Sequence, residues 1–421
     1  MSLALSSSAS TLPRSTVILL ASLYCAQGLP SGLIAHSLPV LLRQHGVDLA
    51  LIGLLKLLAL PWLLKVLWAP WVDRLASARL GHRRGWILPL QLTVISILLV
   101  LALMSPDMLF GHSIALLVGL LLLINLAAST QDIATDGLAV RLLPERFRGF
   151  GNSLQVGGYK VGMLVSGSGL LLMMEPLGWN LSIALVALLL VLMTVPIWRF
   201  AERRELPFQA DKAEATAGPS LLWQHYRGLL VQPGMLFWLV VLLGFKLGDA
   251  LGSPMIKPML VDQGWSSGAL GELTLVSSVV GICGAFIGGL LYGRLGVFRS
   301  LMLFGLLQAV GIAAMAWLAG SAASAVQVYT VALFEQFADG MSTVALFAAM
   351  MGCCRPEHEG ADFTLQASVQ MLLAGVVGAA SGVLAKWLGF DGLFWLSGAA
   401  GVFGLVLVAL YFRNRASQPL A

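Results

Sequence analysis

The chain has 421 residues, of which 58% are hydrophobic and only 11% are charged. Soluble domains carry about 25% charged residues, so this composition excludes a soluble globular protein and predicts that most of the chain lies in lipid. The net charge of +5 comes from basic residues spread over short loops. Because no single face gathers them, the charge does not indicate nucleic-acid binding.

Twelve apolar runs are long enough to cross a bilayer, which requires about 20 apolar residues in a helix. The first run is too long for the core of a signal peptide, so we interpret it as a retained helix. The predicted spans lie near 16–42, 51–72, 86–105, 113–140, 150–174, 180–199, 234–261, 269–292, 300–319, 325–352, 363–388 and 393–412. These runs predict an all-α integral membrane protein with 12 transmembrane helices.

Lysine and arginine gather in alternate connections between the runs and near both ends of the chain. Under the positive-inside rule, this pattern places both termini in the cytoplasm. The longest polar stretch, 201–233, contains Pro, Gly and mixed charge, which is typical of a linker. We therefore predict two six-helix halves, 1–200 and 234–421, joined by a cytoplasmic linker in which 221–230 can form a short helix.

A basic, glycine-containing loop occurs in both halves. The first follows the second span and reads WAPWVDR at 68–74 and GHRRGW at 81–86, and the shorter second loop reads GRLGVFR at 293–299. Transporter folds built from two similar halves place their binding site near the middle of the membrane. The repeat therefore predicts such a fold.

Polar side chains inside several spans are the candidates for function. A charge at the centre of a helix in lipid costs about 2.5–3.5 kcal/mol, so each is expected to face a cavity or a partner. The predicted substrate-binding residues are Tyr24, Gln27, Gln155, Tyr159, Lys160 and Lys246. For Gln27 the alternative is that the adjacent Gly-Leu-Pro break serves helix packing alone.

Lys246 and Asp249 are three residues apart, so they share a helix face and can pair. A pair that faces a cavity can exchange with substrate or proton, whereas a permanent pair would only neutralise two charges. We favour the first interpretation because Gly248, Gly252 and Pro254 invite a local helix break. The predicted proton-coupling carboxylates are Asp249, Asp132 and Asp339.

Asp132 and Asp136 share one face of the fourth span, close in depth to the basic loop after the second span. Two neighbouring carboxylates favour protonation of one of them, so direct proton transfer is one interpretation. A charge cluster that locks the inward side is the preferred interpretation. The predicted gate residues are Asp73, Arg74, Arg83, Arg84 and Asp136.

The sequence carries no pattern for metal, cofactor or enzyme chemistry. Cys25, Cys283, Cys353 and Cys354 have no His or Cys at ligand spacing, so we predict free thiols and no metal site. No phosphate-binding loop, dinucleotide fingerprint or hydrolase motif occurs. We therefore expect neither a cofactor nor an enzymatic activity.

Several motifs in both halves carry a family resemblance. They are GLP at 28–30, WAPxxDR at 68–74, GxRRGW at 81–86, QDIxxD at 131–136 and KLGDA at 246–250. Together they resemble the AmpG-type branch of the major facilitator superfamily. In length and compact layout the chain is similar to the RhtX/FptX group of that branch, which are siderophore permeases.

The resemblance implies a twelve-helix importer of the bacterial inner (cytoplasmic) membrane that works by alternating access and uses the proton gradient. Its implied cargo is a small siderophore of the pyochelin type or its ferric complex. Its other partners are protons and the lipid bilayer, and a monomer is expected because one chain supplies the whole fold. A muropeptide or amphiphilic small-molecule permease is the alternative, and a non-transporting membrane sensor is the second.

Overall fold

Helices make up nearly all the regular structure of this chain. A computed structural model describes residues 11–48, 55–77, 80–202, 219–320 and 323–416. Within these residues only an isolated bridge between Ser77 and Gly81 shows β pairing. The predicted all-α class is confirmed.

Most of the described helices follow one another with short connections. A π-helical turn, Leu33–Ser37, joins the first two, and another, Val165–Gly169, joins the seventh to the eighth. In the described residues the α-helices are α1 Arg14–Gly32, α2 Leu38–Gln44, α3 Leu60–Leu64, α4 Ala69–Arg74, α5 Arg83–Leu103, α6 Ile114–Leu142, α7 Arg148–Leu164, α8 Leu170–Arg199, α9 Pro219–Leu230, α10 Met235–Phe245, α11 Leu247–Asp262, α12 Ser267–Ala319, α13 Ala325–Gly352 and α14 Glu359–Ala416.

Seven helical stretches of the described residues are long and apolar enough to cross a membrane. Three of them have 52 to 57 residues, which is enough for two crossings each because one crossing needs about 20. Each of the three contains a glycine with positive φ, at Gly178 (71°), Gly296 (74°) and Gly389 (73°). With α13 and the broken segment 55–74, these stretches account for the twelve predicted crossings of a multi-pass integral membrane protein.

The contacts of α12 show that it reverses direction at its glycine. Residues 284 and 311 would lie about 40 Å apart along a straight helix. A Cβ atom at Gly284 would nevertheless meet the carbonyl oxygen of Phe337 at 2.2 Å, and one at Gly311 would meet Cα of Glu335 at 3.0 Å. Since both approach the same turn of α13, the chain reverses within the predicted connection 293–299. The connection is a tight turn at Gly296 between two helical arms.

The described chain divides into two compact units. Each unit takes most of one half of the sequence and one short segment from the other half. Unit 1 comprises Met1–Pro144, Leu154–Trp223 and Cys354–Thr364, and unit 2 comprises Glu145–Ser153, Gln224–Cys353 and Leu365–Ala421. Of the predicted linker, 203–218 lies outside the described residues, and α9 occupies much of the remainder.

Small residues let the helices of unit 1 approach closely. A Cβ atom at Gly28 of α1 would lie 2.2 Å from the carbonyl oxygen of Tyr159 and 2.9 Å from Cα of Gly162, both on α7. Lipid gives no hydrophobic drive for helices to associate, so such close backbone packing provides the attraction instead. The contact sets α1 directly against α7, and both helices carry predicted site residues.

Candidate functional site

A buried network in unit 1 centres on Asp136 of α6. Tyr24 Oη of α1 donates a hydrogen bond to Asp136 Oδ1 at 3.1 Å, and Gln155 Nε2 of α7 donates to the same oxygen at 3.1 Å. Three helices therefore converge on one carboxylate. The structure brings together two of the predicted substrate-binding residues, and it adds Asp136 to them.

One turn before Asp136, Asp132 forms a buried ion pair with Lys65. The ammonium of Lys65 also lies 5.4 Å from the ring centre of Trp62, within the range of a cation–π interaction. The indole N–H of Trp62 donates to Asn125 Oδ1 at 3.0 Å, which fixes this broken segment against α6. Asp132, predicted to couple protons, is therefore paired with a cation.

Several polar atoms around this network have no hydrogen-bond partner among the described residues. They include Gln27 Nε2 and Gln155 Oε1, although Gln27 is only 3% exposed. Buried polar groups in proteins are nearly always hydrogen-bonded. One free donor and one free acceptor, on two helices in contact, are therefore available to a water molecule or a solute.

Two further predicted residues lie on α7 in the same unit. Tyr159 is the residue whose carbonyl oxygen faces Gly28, beside Gln27. Lys160 is half-buried, and no carboxylate of the described residues forms an ion pair with its ammonium. A cation of this kind can receive an anionic group of a solute.

Unit 2 holds a second buried network around Lys246. This residue lies between α10 and α11, where φ of −101° and ψ of 6° depart from helical values. Its ammonium donates to Asp339 Oδ1 at 2.6 Å and to Ser342 Oγ at 3.1 Å, and lies 3.8 Å from Asp249 Oδ2. The pair expected from the spacing of three is present, but Asp339 is the closer partner. Lys246 belongs to unit 2, whereas the other predicted substrate-binding residues belong to unit 1.

Neutral side chains extend this second network. Gln308 Nε2 donates to Asp339 Oδ1 at 3.0 Å, and Ser342 Oγ donates to Gln308 Oε1 at 2.6 Å. On the other side, Ser253 Oγ donates to Asp249 Oδ1 at 2.6 Å. Both predicted coupling carboxylates of this unit thus face Lys246, Asp339 at 2.6 Å and Asp249 at 3.8 Å, and Asp249 also accepts a hydroxyl hydrogen bond.

A third cluster, of alternating charge, lies in unit 1 around Arg83. Its guanidinium pairs with Asp73 and lies 3.1 Å from Glu359 Oε2. Asp73 Oδ2 also accepts the backbone N–H of Ala361 at 2.7 Å, at the N-terminus of α14, where the helix dipole favours negative charge. Arg141 extends the cluster to Glu357 and Glu359. The segment 354–364 is therefore held in unit 1 by charge-assisted contacts.

Three predicted gate residues lie outside these contacts. Asp136 bonds Tyr24 and Gln155 instead, Arg74 is exposed, and Arg84 donates to the carbonyl oxygen of Trp198 at 2.6 Å. Consecutive helix residues point about 100° apart, which explains the position of Asp136. A Cβ atom at its neighbour Gly137 would meet Arg83 Cζ at 2.6 Å, so the face of Gly137 meets this cluster and that of Asp136 does not.

His82 precedes Arg83 in a buried position outside the spans. Its Nε2 lies 3.1 Å from the carbonyl oxygen of Val72. Burial, and then the positive charge of Arg83, lower the pKa of His82 to about 3. The imidazole is therefore neutral at physiological pH and Nε2–H can donate to Val72.

For metals, the described residues hold no group of three His, Cys, Asp or Glu side chains placed to bind an ion. The four cysteines are free thiols in the structure.

Comparison with known proteins places the chain in a family. The model of the Major Facilitator Superfamily matches residues 20–379 and 247–421. The chain belongs to the major facilitator superfamily. The fold agrees, since the solved structure of the Escherichia coli fucose:proton symporter FucP superposes with a TM-score of 0.72 at 14% identity, covering 94% of this chain and 98% of that one.

Curated relatives of this superfamily member carry AmpG-type names. The chain is 28% identical to the anhydromuropeptide permease of E. coli strain K12 over 400 residues, which cover 94% of this chain and 79% of that protein. It is 26% identical to the transporter AmpG 4 of Rickettsia conorii over 376 residues, covering 87% of this chain and 89% of the relative. The resemblance to the AmpG-type branch is confirmed.

The further assignment to the siderophore permeases is not supported. That expectation depended on the length and compact layout of the chain. The Rickettsia relative aligns over nearly the same share of both chains, so an AmpG-type name occurs at this length too. Length therefore does not separate the two kinds of cargo for this transporter.

Two acidic residues of this transporter were missed by sequence reasoning. Glu202 is buried and accepts the backbone N–H groups of Arg83 and Arg84, both at 2.8 Å, which caps the N-terminus of α5. It is 119 residues from Arg83, so no local spacing rule connects them. Glu359 lies beside Gly360, whose loose match to Gly149 in the first half was the available signal.

Proposed function

We propose that this chain is an inner-membrane permease that imports an anhydromuropeptide-class solute, driven by the proton gradient. The observation that carries the proposal is the 28% identity to an anhydromuropeptide permease along 94% of this chain. That match extends over both units, including both buried charged networks. Both termini are cytoplasmic in this proposal, in keeping with the distribution of lysine and arginine.

The free polar groups of unit 1 suit such a solute. An anhydromuropeptide is a sugar linked to a peptide, so it carries hydroxyl, amide and carboxylate groups. Gln27 Nε2 can donate to a carbonyl oxygen, Gln155 Oε1 can accept an N–H or O–H group, and Lys160 can pair with a carboxylate. Binding sites of transported solutes are apolar with a few placed polar anchors, and these three groups would be the anchors.

The cluster around Arg83 supports a role as an inner gate. It holds segment 354–364 through Asp73 and Glu359, and both contacts are buried and charged. A solute cannot reach the cytoplasm while such a lock is closed, and alternating access requires that it opens in each cycle. Asp73, Arg83, Arg141 and Glu359 are the gate residues of this proposal.

The test is uptake into proteoliposomes that contain the purified full-length chain. A labelled anhydromuropeptide and a labelled ferric siderophore are offered in parallel, with an inward proton gradient and with empty vesicles as the control. We expect saturable uptake of the anhydromuropeptide and none of the siderophore. Siderophore uptake without anhydromuropeptide uptake would refute the proposed cargo. An uptake rate that is the same with and without the proton gradient would refute the proposed energy source.

A further inference from the structure

The buried network of unit 2 contains more carboxylates than cations. Lys246 is its ammonium, and Asp339, Asp249 and Glu335 are its carboxylates. Asp339 holds the ammonium at 2.6 Å, while Asp249 lies at 3.8 Å. If all three acids were ionised, the network would carry a net charge of two negative units. Lipid-embedded charges are costly unless they are paired, so at least one of these acids is the natural place for a proton.

Of the three acids, Glu335 has the fewest contacts that stabilise its ionised form. Its side chain is buried, with the residue only 1% exposed. Its Oε2 accepts the amide of Gln336 at 2.9 Å, and its Oε1 lies 3.4 Å from Ser253 Oγ. Both partners are neutral. No cation of the described residues forms an ion pair with it, and the ammonium of Lys246 is already occupied by Asp339.

The charged groups that face Glu335 also disfavour a second negative charge. Asp339 is one turn further along α13, and Asp249 approaches from α11, so both are like charges. Lys257 of α11 lines the same pocket but is exposed. From α12 the described network receives only neutral Gln308. Burial and like charges both favour the neutral form of a carboxylic acid.

Ser253 connects this acid to the rest of the network. Its hydroxyl oxygen lies 2.6 Å from Asp249 Oδ1 and 3.4 Å from Glu335 Oε1. A serine hydroxyl can donate one hydrogen bond and accept another. It can therefore accept the proton of a neutral Glu335 while passing its own proton to Asp249. The net change is one proton moved from the carboxyl of Glu335 to the carboxylate of Asp249, with the serine restored.

A pocket gives this pair access to small molecules. Glu335 and Ser253 form part of the wall of a cavity of about 190 Å³ in unit 2. Thr274, Ser277 and Ser278 of α12 add hydroxyl groups to the same wall. Water in such a polar cavity can bring a proton to Glu335 or remove it.

From this geometry we propose that Glu335 is the proton carrier of the transport cycle, and that Ser253 relays its proton to Asp249. The proposal rests on the proposed function for its link to uptake, and it replaces Asp249 as the first acceptor. Asp249 becomes the second site of the proton. When the proton reaches Asp249, this carboxylate loses its negative charge and attracts Lys246 less strongly. Protonation would thereby alter the Lys246–Asp339 pair.

The first test needs no solute. Infrared difference spectroscopy of the full-length chain in lipid vesicles, at neutral pH and with exchange into heavy water, detects the stretching band of a protonated carboxyl group. We expect this band to be weaker in Glu335→Gln than in the wild type by the contribution of one carboxyl group, and unchanged in Glu272→Gln, which removes an exposed acid of α12. A band of wild-type intensity in Glu335→Gln, or no band in the wild type, overturns the proposal.

The second test uses anhydromuropeptide transport. Glu335→Gln should abolish accumulation against a concentration gradient while solute exchange continues at the wild-type rate, and Ser253→Ala should slow accumulation without affecting exchange. Glu335→Asp keeps the acid, so partial recovery of accumulation distinguishes proton transfer from a folding defect. Wild-type accumulation in Glu335→Gln overturns the proposal. If even the wild type takes up no anhydromuropeptide, the proposed cargo is refuted. The infrared band then still tests whether Glu335 carries a proton.

Discussion

Gln27 and Gln91 are two buried glutamines of unit 1 for which we expect different roles in solute binding. Both have an amide nitrogen without a hydrogen-bond partner among the described residues, and Gln91 also has a free amide oxygen. Gln27 is next to the contact between α1 and α7, among the predicted binding residues, whereas Gln91 lies in the middle of α5. The free amide of Gln27 is expected to bind solute, and that of Gln91 is not.

The matched substitutions Gln27→Leu and Gln91→Leu separate these roles. A hydrogen bond contributes about 0.5–1.5 kcal/mol, so Gln27→Leu should weaken solute affinity by about 2- to 10-fold. Gln91→Leu removes an unsatisfied buried amide, so affinity should be unchanged and the melting temperature unchanged or raised. Equilibrium binding of labelled solute and thermal unfolding in detergent provide the measurements. Equal losses of affinity in both variants would contradict the assignment.

Residue spacing predicted contacts only within a single helix. Lys246 and Asp249 pair as their spacing of three requires, but the closest partner of Lys246 is Asp339, which is 93 residues away. Likewise the spacing of four predicted that Asp136 shares a face of α6 with Asp132, but its hydrogen-bond partner Tyr24 is 112 residues away. Because a charge in lipid is costly, a charged residue within a span indicates from the sequence alone that it has a partner. Only the packing of the helices shows which residue that partner is.

At the scale of the element, hydropathy predicted the crossings well because about 20 apolar residues are needed for each. It also predicted the connection at the basic stretch 293–299, where the chain does reverse, but charge and glycine there indicate a longer loop equally well as a tight turn. Gly296 takes a positive φ that other residues rarely adopt, and so two helical arms meet in a tight turn. The local sequence permits both outcomes, and only the packing of both arms on α13 selects one.

The contact between α1 and α7 makes a prediction about Gly28. A methyl group there would lie 2.2 Å from the backbone oxygen of Tyr159, so Gly28→Ala must push the two helices apart. Overpacking of this kind destabilises by about 1–3 kcal/mol, and it would separate Gln27 from Gln155. We expect a lower melting temperature and a large loss of transport.

The matched control is Gly119→Ala in the second turn of α6. A Cβ atom at Gly119 meets nothing within 4 Å, and alanine in a helix is favoured over glycine by about 0.5–1 kcal/mol. This variant should be as stable as the wild type or more stable, with normal transport. Transport that survives in Gly28→Ala would show that the approach of α1 and α7 does not position the site.

The buried position of His82 at the start of α5 predicts an acid-sensitive contribution to stability. Its pKa is lowered to about 3 in the folded chain, against 6.5 for an ordinary histidine. The unfolded chain therefore binds a proton that the folded chain does not, and the contribution is complete above about pH 6.5. It is lost progressively as the pH falls towards 3, by at most about 1.4 kcal/mol per pH unit.

The measurement is thermal unfolding in detergent between pH 7 and pH 4. His82→Gln keeps an N–H donor for the carbonyl oxygen of Val72 but has no proton to bind, so its melting temperature should fall less steeply with acid than that of the wild type. His45→Gln changes an exposed histidine and serves as the control, with a wild-type slope. A wild-type slope in His82→Gln would show that other groups cause the acid sensitivity.

At the scale of the whole molecule, the two units do not coincide with the two halves of the sequence. Residues 354–364 follow α13, yet they belong to unit 1, and residues 145–153 belong to unit 2. Asp73 holds residues 354–364 in unit 1, because its carboxylate binds both Arg83 and the backbone N–H of Ala361. Removing its charge leaves a buried guanidinium short of a partner, which is strongly destabilising.

Asp73→Asn should therefore release segment 354–364. A protease specific for glutamate cleaves after Glu357 only when this segment leaves its site, so we expect cleavage of the native chain to become several-fold faster. Transport should slow, while equilibrium binding of solute stays near the wild-type value. Asp107→Asn alters an exposed carboxylate and should change neither. Unaltered cleavage in Asp73→Asn would contradict the role of this carboxylate as the anchor.

The reversals at Gly178, Gly296 and Gly389 bear on how the chain is made. Only a tight turn separates the two crossings on either side of each glycine, so the ribosome delivers the second crossing directly after the first. The insertion machinery then receives a helical hairpin, and it must orient both arms together. A new charge beside one of these glycines cannot invert a single crossing. It would have to invert the pair, or leave both arms outside the bilayer during synthesis.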